Sequence, residues 1–320
     1  MVDLRLGRNK FSVPPGQTLL LGTFFFMPVA SPSFFGWLIG LLAVPVFYPL
    51  LLNGSDTGKK QVAFGLFMAG LGALLVQQLD IFLFSLTFIP LGFTLFASAR
   101  SGESAARSGA KGVAALGLTW LLFWGVYGSI AGINPYSHLL KVLDLGLQQT
   151  LELSSSKEAG LTPEMVLGLS QATVAMREAI PRLLPGLLLS MVAITVWINM
   201  VLVNGLTGRL TGAAPWGKYA SWRFPDHLVW LPIGAIGVVL FGTGHLQDAG
   251  VWLLMMAGLL YFFQGLAVFI ALLERWRVPP LVRMILYFVF ILQSYGLIFL
   301  AVLGLIDVWF NLRKKNENKT

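Results

Sequence analysis

The stretch that decides the fold is residues 251–313, which read VWLLMMAGLLYFFQGLAVFIALLERWRVPPLVRMILYFVFILQSYGLIFLAVLGLIDVWFNLR. It contains two apolar runs, residues 252–273 and 281–306, on either side of a short basic turn that includes Pro279 and Pro280. A helix of about 20 apolar residues is long enough to cross the hydrocarbon core of a bilayer. Each run is therefore predicted to be a membrane-spanning helix.

The composition extends this prediction to the rest of the chain. Of the 320 residues, 56% are hydrophobic and only 11% are charged, whereas a soluble domain carries about 25% charged residues. The net charge of +8 comes from bases in short loops between apolar runs, where they orient spans in a membrane rather than bind nucleic acid. The chain has no cysteine, which excludes disulfides, thiol catalysis and thiolate metal sites.

Counting the apolar runs predicts an all-α fold, a polytopic helical membrane protein with about eight or nine transmembrane helices. The predicted spans are residues 18–30, 34–52, 61–76, 81–99, 112–133, 183–203, 228–241, 252–273 and 281–306. Pro45 and Pro49 are expected to kink or break the second span. Gly65, Ala69 and Ala73 lie four residues apart and predict a helix-packing stripe, as does the pair Gly36 and Gly40.

The chain is predicted to form a single integral membrane domain, residues 1–320. Its parts are N-terminal helices at 18–133, an amphipathic hairpin at 134–182, C-terminal helices at 183–306 and a basic tail at 307–320.

Residues 134–182 are predicted to form an amphipathic helical hairpin on the membrane surface. Leucines recur every four residues from 139 to 151, and Thr162 is placed to cap a second helix that has Pro163 at its first position. Neither helix is apolar enough to span, and the second is expected to end before Pro181. Arg177 and Glu178 either bind an incoming polar ligand or remain a solvated surface pair.

The positions of the bases predict the orientation. The N-terminus and the basic loops are expected in the cytoplasm, and the net acidic hairpin outside it. Nine spans would leave the basic tail outside, against the same rule. Either one apolar run is a re-entrant or interfacial segment, or the last bases are tolerated there.

No motif in the sequence predicts an enzyme or a cofactor. The loop Gly54-Ser55-Asp56-Thr57-Gly58-Lys59-Lys60 lacks the spacing and the hydroxyl of a phosphate-binding loop. The three histidines, His138, His227 and His245, lack metal-ligand spacing. No catalytic residue, cofactor or metal is expected.

Polar residues inside the spans are the candidate ligand-binding residues, because such groups are costly at membrane depth without a partner. They are Asn199, Tyr261, Gln264, Tyr287, Gln293 and Ser294. Tyr287 and Ser294 are seven apart and would share one helix face. The alternative role is interhelical hydrogen bonding, worth about 0.6 kcal/mol on average. For Asp307, a solvated or capping role and contact with Arg313 are equally compatible with the sequence.

The C-terminal third resembles a known family. The segments YFFQGLA from Tyr261, the turn with Val278-Pro279-Pro280, GLIDVWF from Gly304 and WRFPDHLVW from Trp222 are similar to the ending of the YybS-like family of predicted bacterial membrane proteins. That resemblance implies a multi-pass protein of the inner, or cytoplasmic, membrane. It also implies an architecture similar to the substrate-binding S-components of energy-coupling-factor transporters, which act with a membrane partner subunit.

Three functions are compatible with these observations. The first is a transport component that binds a small or amphipathic molecule in a pocket lined by Asn199, Gln264 and Gln293. The second is a scaffold or regulatory membrane protein that binds partners through the hairpin or the basic loops. The third is an intramembrane enzyme whose site the linear sequence does not reveal.

Overall fold

The computed structural model describes residues 15–155 and 162–313, and every regular element in these two ranges is a helix. The all-α prediction is therefore confirmed for the described part of the chain.

Helices α1 to α6 fill the N-terminal third. They are α1 Pro15–Ala30, α2 Pro32–Phe35, α3 Ala43–Asn53, α4 Ser55–Leu75, α5 Leu79–Ser85 and α6 Ile89–Arg100, with 3-10 turns at Gly36–Leu41 and Leu86–Phe88.

Helices α7 to α13 complete the chain. They are α7 Ala105–Ala131, α8 Pro135–Ser155, α9 Pro163–Thr211, α10 Trp230–Phe241, α11 His245–Arg275, α12 Pro280–Leu292 and α13 Ser294–Phe310, with 3-10 turns at Tyr219–Ser221 and Asp226–Val229.

Within the described residues, four helical segments are long and apolar enough to cross a membrane. They are Leu79–Arg100, Ala105–Ala131, Glu164–Thr211 and His245–Arg275. The number rises to six if each of two sharply bent helix pairs is one span. The count of eight or nine spans is not confirmed, because several of the apolar runs form short or broken helices.

The chain bends sharply at two places, at Ser31 between two predicted spans and at Gln293 inside the predicted span 281–306. Ser31 (φ −148°, ψ 85°) separates α1 from α2, and the axis bends by 108° there. Residues 34–52 form short pieces rather than one helix, but the interruption is the 3-10 turn Gly36–Leu41, and Pro45 and Pro49, which were expected to cause it, lie inside α3. Gln293 (φ −88°, ψ 128°) is extended, and α12 and α13 meet at 102°.

The break at Gln293 overturns one prediction about the site. Residues 281–306 were expected to form a single helix in which Tyr287 and Ser294 share a face. Because the extended Gln293 ends α12, these two residues belong to different helices.

The second hairpin helix also departs from its predicted end. It begins at Pro163, and the Thr162 hydroxyl oxygen accepts a hydrogen bond from the Met165 amide at 3.4 Å, as the capping pattern predicted. However, α9 does not end before Pro181 but continues through Pro181 and Pro185 to Thr211. A proline inside a helix is tolerated where other donors serve the carbonyl that it leaves unpaired.

The described residues form two compact units. Unit 1 contains those up to Trp120, Met191–Leu228 and those from Leu260 onward, and unit 2 contains Leu121–Ser190 and Val229–Leu259. The single membrane domain predicted from the sequence stays a prediction.

Small residues set the packing of unit 1. Gly65, Ala69 and Ala73 are buried, and a Cβ at Gly65 would lie 3.3 Å from the Gly22 nitrogen of α1, so the predicted stripe is a helix contact. Gly36 and Gly40 lie instead on a 3-10 turn, and a Cβ on either would meet no atom within 4 Å.

Helices α11 and α13 approach each other closely in unit 1 at two glycines. A Cβ at Gly265 would lie 1.7 Å from the Leu300 carbonyl oxygen, and one at Gly304 would lie 2.1 Å from the Tyr261 carbonyl oxygen. Only glycine at both positions permits this approach of the two backbones.

Candidate functional site

Asn199 contacts backbone rather than an open pocket. Its side chain is fully buried, and its amide nitrogen donates to the Gly40 carbonyl at 2.6 Å and the Thr195 carbonyl at 2.8 Å. The bond to Gly40 holds α9 against the bent N-terminal segment. This geometry is that of an interhelical hydrogen bond.

The other predicted residues, apart from Gln264, are also dispersed. Tyr261 is buried, and its hydroxyl has no hydrogen-bond partner among the described residues. Tyr287 is half-buried against the edge of Phe269, with 6.1 Å between ring centroids. Gln293 is exposed at the α12–α13 break. Ser294 begins α13, and its side chain lies outside the described residues.

Gln264 is the centre of a buried polar network in unit 1. Its carbonyl oxygen accepts from the Phe224 amide at 3.1 Å, and its amide nitrogen donates to the Gly304 carbonyl at 3.2 Å and to Asp307 Oδ2 at 3.4 Å. One side chain thus connects α11, α13 and the loop before α10.

Asp307 contacts Arg313, one of the two roles that the sequence left open. The carboxylate is fully buried, and its Oδ2 accepts from Arg313 Nη2 at 2.7 Å and Nε at 3.2 Å. Asn311, with φ 46°, turns the chain back at the end of α13. The same guanidinium donates from Nη1 to the carbonyls of Ala220 and Trp222 at 3.0 and 2.7 Å. This arrangement ties the end of α13 to the 212–229 loop.

Aromatic residues of that loop donate hydrogen bonds to other parts of unit 1. The Tyr219 hydroxyl donates to the Phe263 carbonyl at 2.7 Å and accepts from Trp197 Nε1 at 3.1 Å. Burial raises the pKa of this hydroxyl. Trp216 is buried, and its Nε1 donates to Ser108 Oγ at 2.9 Å. These hydrogen bonds therefore stabilise the packing of the 212–229 loop within unit 1.

An open cleft lies between α9 and α11 in unit 2, and we call it the α9–α11 cleft. Its volume is about 380 Å³. Its lining residues are Ala175, Glu178, Ala179, Arg182 and Leu183 from α9, and Gln247, Asp248 and Val251 from α11.

Two prolines and one glycine of α9 shape the helix beside this cleft. Pro185 has no N–H, so the Pro181 carbonyl loses its helical donor, and the Tyr136 hydroxyl donates to it at 2.8 Å. Trp252 Nε1 donates to the Arg182 carbonyl at 2.5 Å. The Trp252 ring can approach α9 because residue 186 is glycine. A Cβ at that position would lie 3.0 Å from Trp252 Cδ1.

The charged groups of the cleft are not neutralised by one another. Among the described residues, neither Glu178 nor Arg182 has an ion-pair partner within 4.0 Å. The ion-pair partner of Asp248 among the described residues is His245, whose Nδ1 lies 3.9 Å from Asp248 Oδ2. The Gln247 amide nitrogen donates to the Val239 carbonyl at 3.2 Å, which holds this side chain in place. The cleft therefore presents two carboxylates and one guanidinium that are available to a ligand.

Arg177, next to this cleft in sequence, belongs to a surface pair. Its Nε lies 2.5 Å from Asp144 Oδ1, and both side chains are about half exposed, at 40% and 44%. This pair links α8 to α9, and Arg177 does not line the cleft.

A second cleft, in unit 1, contains an ion pair between two of its own lining residues, although Arg223 Nε is buried without a hydrogen-bond partner among the described residues. It measures about 320 Å³ and is lined by Ser104, Ala106 and residues 223–226. Arg223 Nη2 lies 2.9 Å from Asp226 Oδ1, so its charges pair with each other. Glu103 lies in the turn next to this cleft and accepts a hydrogen bond from Lys111 of α7. This bond lowers the pKa of the Glu103 carboxyl group.

None of the predicted ligand-binding residues lines either cleft. The predicted ligand-binding residues are polar groups inside spans, whereas the charged residues of the α9–α11 cleft lie where spans begin. Glu178 was considered, but Arg182, Gln247 and Asp248 were not identified. The sequence pattern that could have indicated this cleft is the pair Glu178 and Arg182, which are four residues apart on one helix directly before the apolar run at 183–203.

One protein family matches this chain. The model of the family described as "Predicted membrane protein (DUF2232)" matches residues 19–308. Searches of curated proteins and of solved structures found no match. The membrane-protein part of the sequence resemblance is confirmed, and the YybS-like name and the S-component architecture stay predictions.

Proposed function

The chain belongs to this family of predicted membrane proteins, and we propose that it binds a small polar molecule in the α9–α11 cleft. The observation that carries the proposal is the set of opposite charges there that do not pair with one another, Glu178 and Asp248 against Arg182. Charged side chains that face a concavity without partners are available to a ligand.

The size and lining of the cleft support this proposal. Its volume of about 380 Å³ falls within the range of small-molecule sites, about 300–1,000 Å³. Leu183 and Val251 provide apolar surface next to the charged groups. A ligand site commonly combines such an apolar wall with a few polar groups that fix orientation.

We propose that the cleft opens on the outer side of a bacterial cytoplasmic membrane. The bases of residues 100–111, 209–223 and 275–283 favour a cytoplasmic position, and the turn at 245–248, which lines the cleft, contains no Lys or Arg.

This orientation predicts opposite accessibility of two single cysteines. The chain has no cysteine of its own, so Gln149→Cys in α8 and Ser101→Cys in the loop before α7 each give one thiol at an exposed position. In intact cells, a membrane-impermeant maleimide is expected to label Gln149→Cys and not Ser101→Cys. After permeabilisation both are expected to react. The reverse pattern in intact cells would refute the orientation.

We propose further that the chain takes part in transport of the molecule that it binds. The sequence contains no nucleotide-binding motif, so energy would come from a partner subunit, as in the S-component resemblance. Ligand binding is the step that such a role requires from this chain.

Native mass spectrometry of gently purified protein tests the binding proposal. We expect a small-molecule adduct on the wild-type protein. We expect its loss in Ala179→Trp, because an indole at that lining position fills the cleft. Ala172→Trp is the matched control, since Ala172 lies on the same helix, is exposed and does not line the cleft. An adduct that survives equally in both variants would place the ligand elsewhere.

A second candidate, a scaffold role, is favoured by apolar residues on the hairpin. Val142, Leu167 and Val174 are exposed by 50%, 59% and 57%. The same spectra separate the two functions, because a scaffold would retain a protein partner and would carry no adduct that depends on Ala179.

A further inference from the structure

We propose that the ligand of the α9–α11 cleft is a small zwitterion, a molecule with an ammonium group and an anionic group a few bonds apart. This inference rests on the proposed binding function and adds the chemical class of the ligand. It follows from which charges face the cleft and from which of them have partners.

The cleft contains both signs of charge on two different helices. Glu178 and Arg182 lie four residues apart on α9, which is a rise of about 6 Å along a helix, and Asp248 belongs to α11. Glu178 and Arg182 are not within ion-pair distance of each other or of Asp248. A ligand that carries both charges can contact the two kinds of group at once.

Each charged group selects one half of such a ligand. The planar guanidinium of Arg182 binds carboxylate or phosphate through two parallel hydrogen bonds. The carboxylates of Glu178 and Asp248 accept hydrogen bonds from an ammonium group, which has three donors. Gln247 adds a polar side chain whose position is held by Val239.

The lining carries both signs of charge, so only a ligand that also carries both signs meets an opposite charge at every group. Glu178, Asp248 and Arg182 together carry a formal charge of −1. A simple anion that binds Arg182 would face two carboxylates, and a simple cation that binds the carboxylates would face the guanidinium. A zwitterion avoids both repulsions, since each of its groups meets the opposite charge.

Two sources supply this chemistry, a free zwitterion and a lipid headgroup. The charged residues lie beside Leu183 and Val251, where the apolar runs of α9 and α11 begin. Both phosphoethanolamine in solution and phosphatidylethanolamine in a membrane carry an ammonium and a phosphate group. The experiment therefore includes an arm for each source.

The solution arm compares three probes on the full-length protein in detergent. They are phosphoethanolamine, which has both charges, ethanolamine, which has only the ammonium, and inorganic phosphate, which has only the anion. We expect phosphoethanolamine to bind at least about tenfold more tightly than either fragment in calorimetry, given the usual strength of charged hydrogen bonds.

The lipid arm measures phosphatidylethanolamine retained by the protein in native mass spectra, from nanodiscs that also contain phosphatidylglycerol. Tighter retention of phosphatidylethanolamine, with weak binding of the soluble probes, identifies the headgroup as the source. Tight binding of phosphoethanolamine without lipid selectivity identifies a free molecule.

Substitutions in the cleft connect the selectivity to its residues. Arg182→Gln is expected to abolish the advantage of phosphoethanolamine over ethanolamine. The double substitution Glu178→Gln with Asp248→Asn is expected to abolish its advantage over phosphate. Arg177→Gln is the control, because Arg177 pairs with Asp144 outside the cleft and should leave the selectivity unchanged.

The outcomes separate this inference from the proposed function. If ethanolamine or phosphate binds as tightly as phosphoethanolamine, and Ala179→Trp blocks that binding, the cleft is a ligand site and the zwitterion inference is wrong. If selectivity survives both substitutions in folded protein, the inference is also wrong. If no molecule binds in a way that Ala179→Trp blocks, both the inference and the proposed function fail.

Discussion

Gly265→Ala is expected to lower the stability of the protein more than any other single-methyl change in α11. The added Cβ would lie 1.7 Å from the Leu300 carbonyl oxygen and 3.0 Å from the Gly304 nitrogen. These are backbone atoms of α13, so relief requires the two helices to separate. Separation would also strain the bonds from Gln264 to Gly304 and Asp307. We expect a loss of about 3 kcal/mol or more, at the upper end of overpacking costs.

The measurement is thermal unfolding in detergent, followed by loss of the monodisperse species. A loss of this size lowers the apparent Tm by about 6 °C or more for a protein larger than 150 residues. Gly258→Ala is the matched control on the same helix, where an added Cβ would meet no atom within 4 Å. That control should be neutral or slightly stabilising. Equal Tm values for the two variants would contradict the close crossing of α11 and α13.

Arg313→Leu is expected to have the second large effect, because it leaves a fully buried carboxylate without its cation. Asp307 Oδ2 accepts two hydrogen bonds from Arg313, and the same guanidinium serves two carbonyls of the 212–229 loop. Breaking a buried ion pair from one side costs about 3–5 kcal/mol.

The double variant Arg313→Leu with Asp307→Leu separates charge from packing. We expect it to be more stable than Arg313→Leu alone, since no unpaired carboxylate remains. Arg177→Leu, which breaks the exposed pair with Asp144, should cost under about 1 kcal/mol. If the double variant is as unstable as the single one, the buried charge of Asp307 is not the cause.

The membrane class and most helices could be predicted from the sequence, because both depend on local composition and periodicity. The low charge content required lipid contact, and the apolar runs in α7 and α11 were long enough to be recognised. The capping pattern at Thr162 and Pro163 located the start of α9, since a cap acts within a few residues.

The breaks and the long-range contacts could not be predicted. The extended backbone at Gln293 divides a run that is long enough to be one span and has no proline at the break, and polar residues inside a span do not by themselves end a helix. Pro181 was expected to end a helix, but α9 continues to Thr211. The Tyr136 hydroxyl, 45 residues away, donates to the Pro181 carbonyl, which Pro185 leaves without a helical donor. Asn199 and Gln264 were recognised as polar residues in spans, but their partners Gly40 and Phe224 depend on tertiary packing.

The α9–α11 cleft could not be predicted from the sequence, because it too depends on tertiary packing. Glu178 and Arg182 are separated from Asp248 by more than 60 residues of sequence, and only packing of α9 against α11 within unit 2 brings them to one cavity. A sequence search can find the charged pair before a span but not the carboxylate that faces it.

The most direct test of the central claim is an experimental density map of the purified protein at the α9–α11 cleft. We predict density for a small molecule that contacts both the Arg182 guanidinium and the Asp248 carboxylate, with Glu178 beside it. A cleft that holds no molecule, with Arg182 within 4.0 Å of Glu178 or Asp248 in a closed ion pair, would contradict ligand binding there.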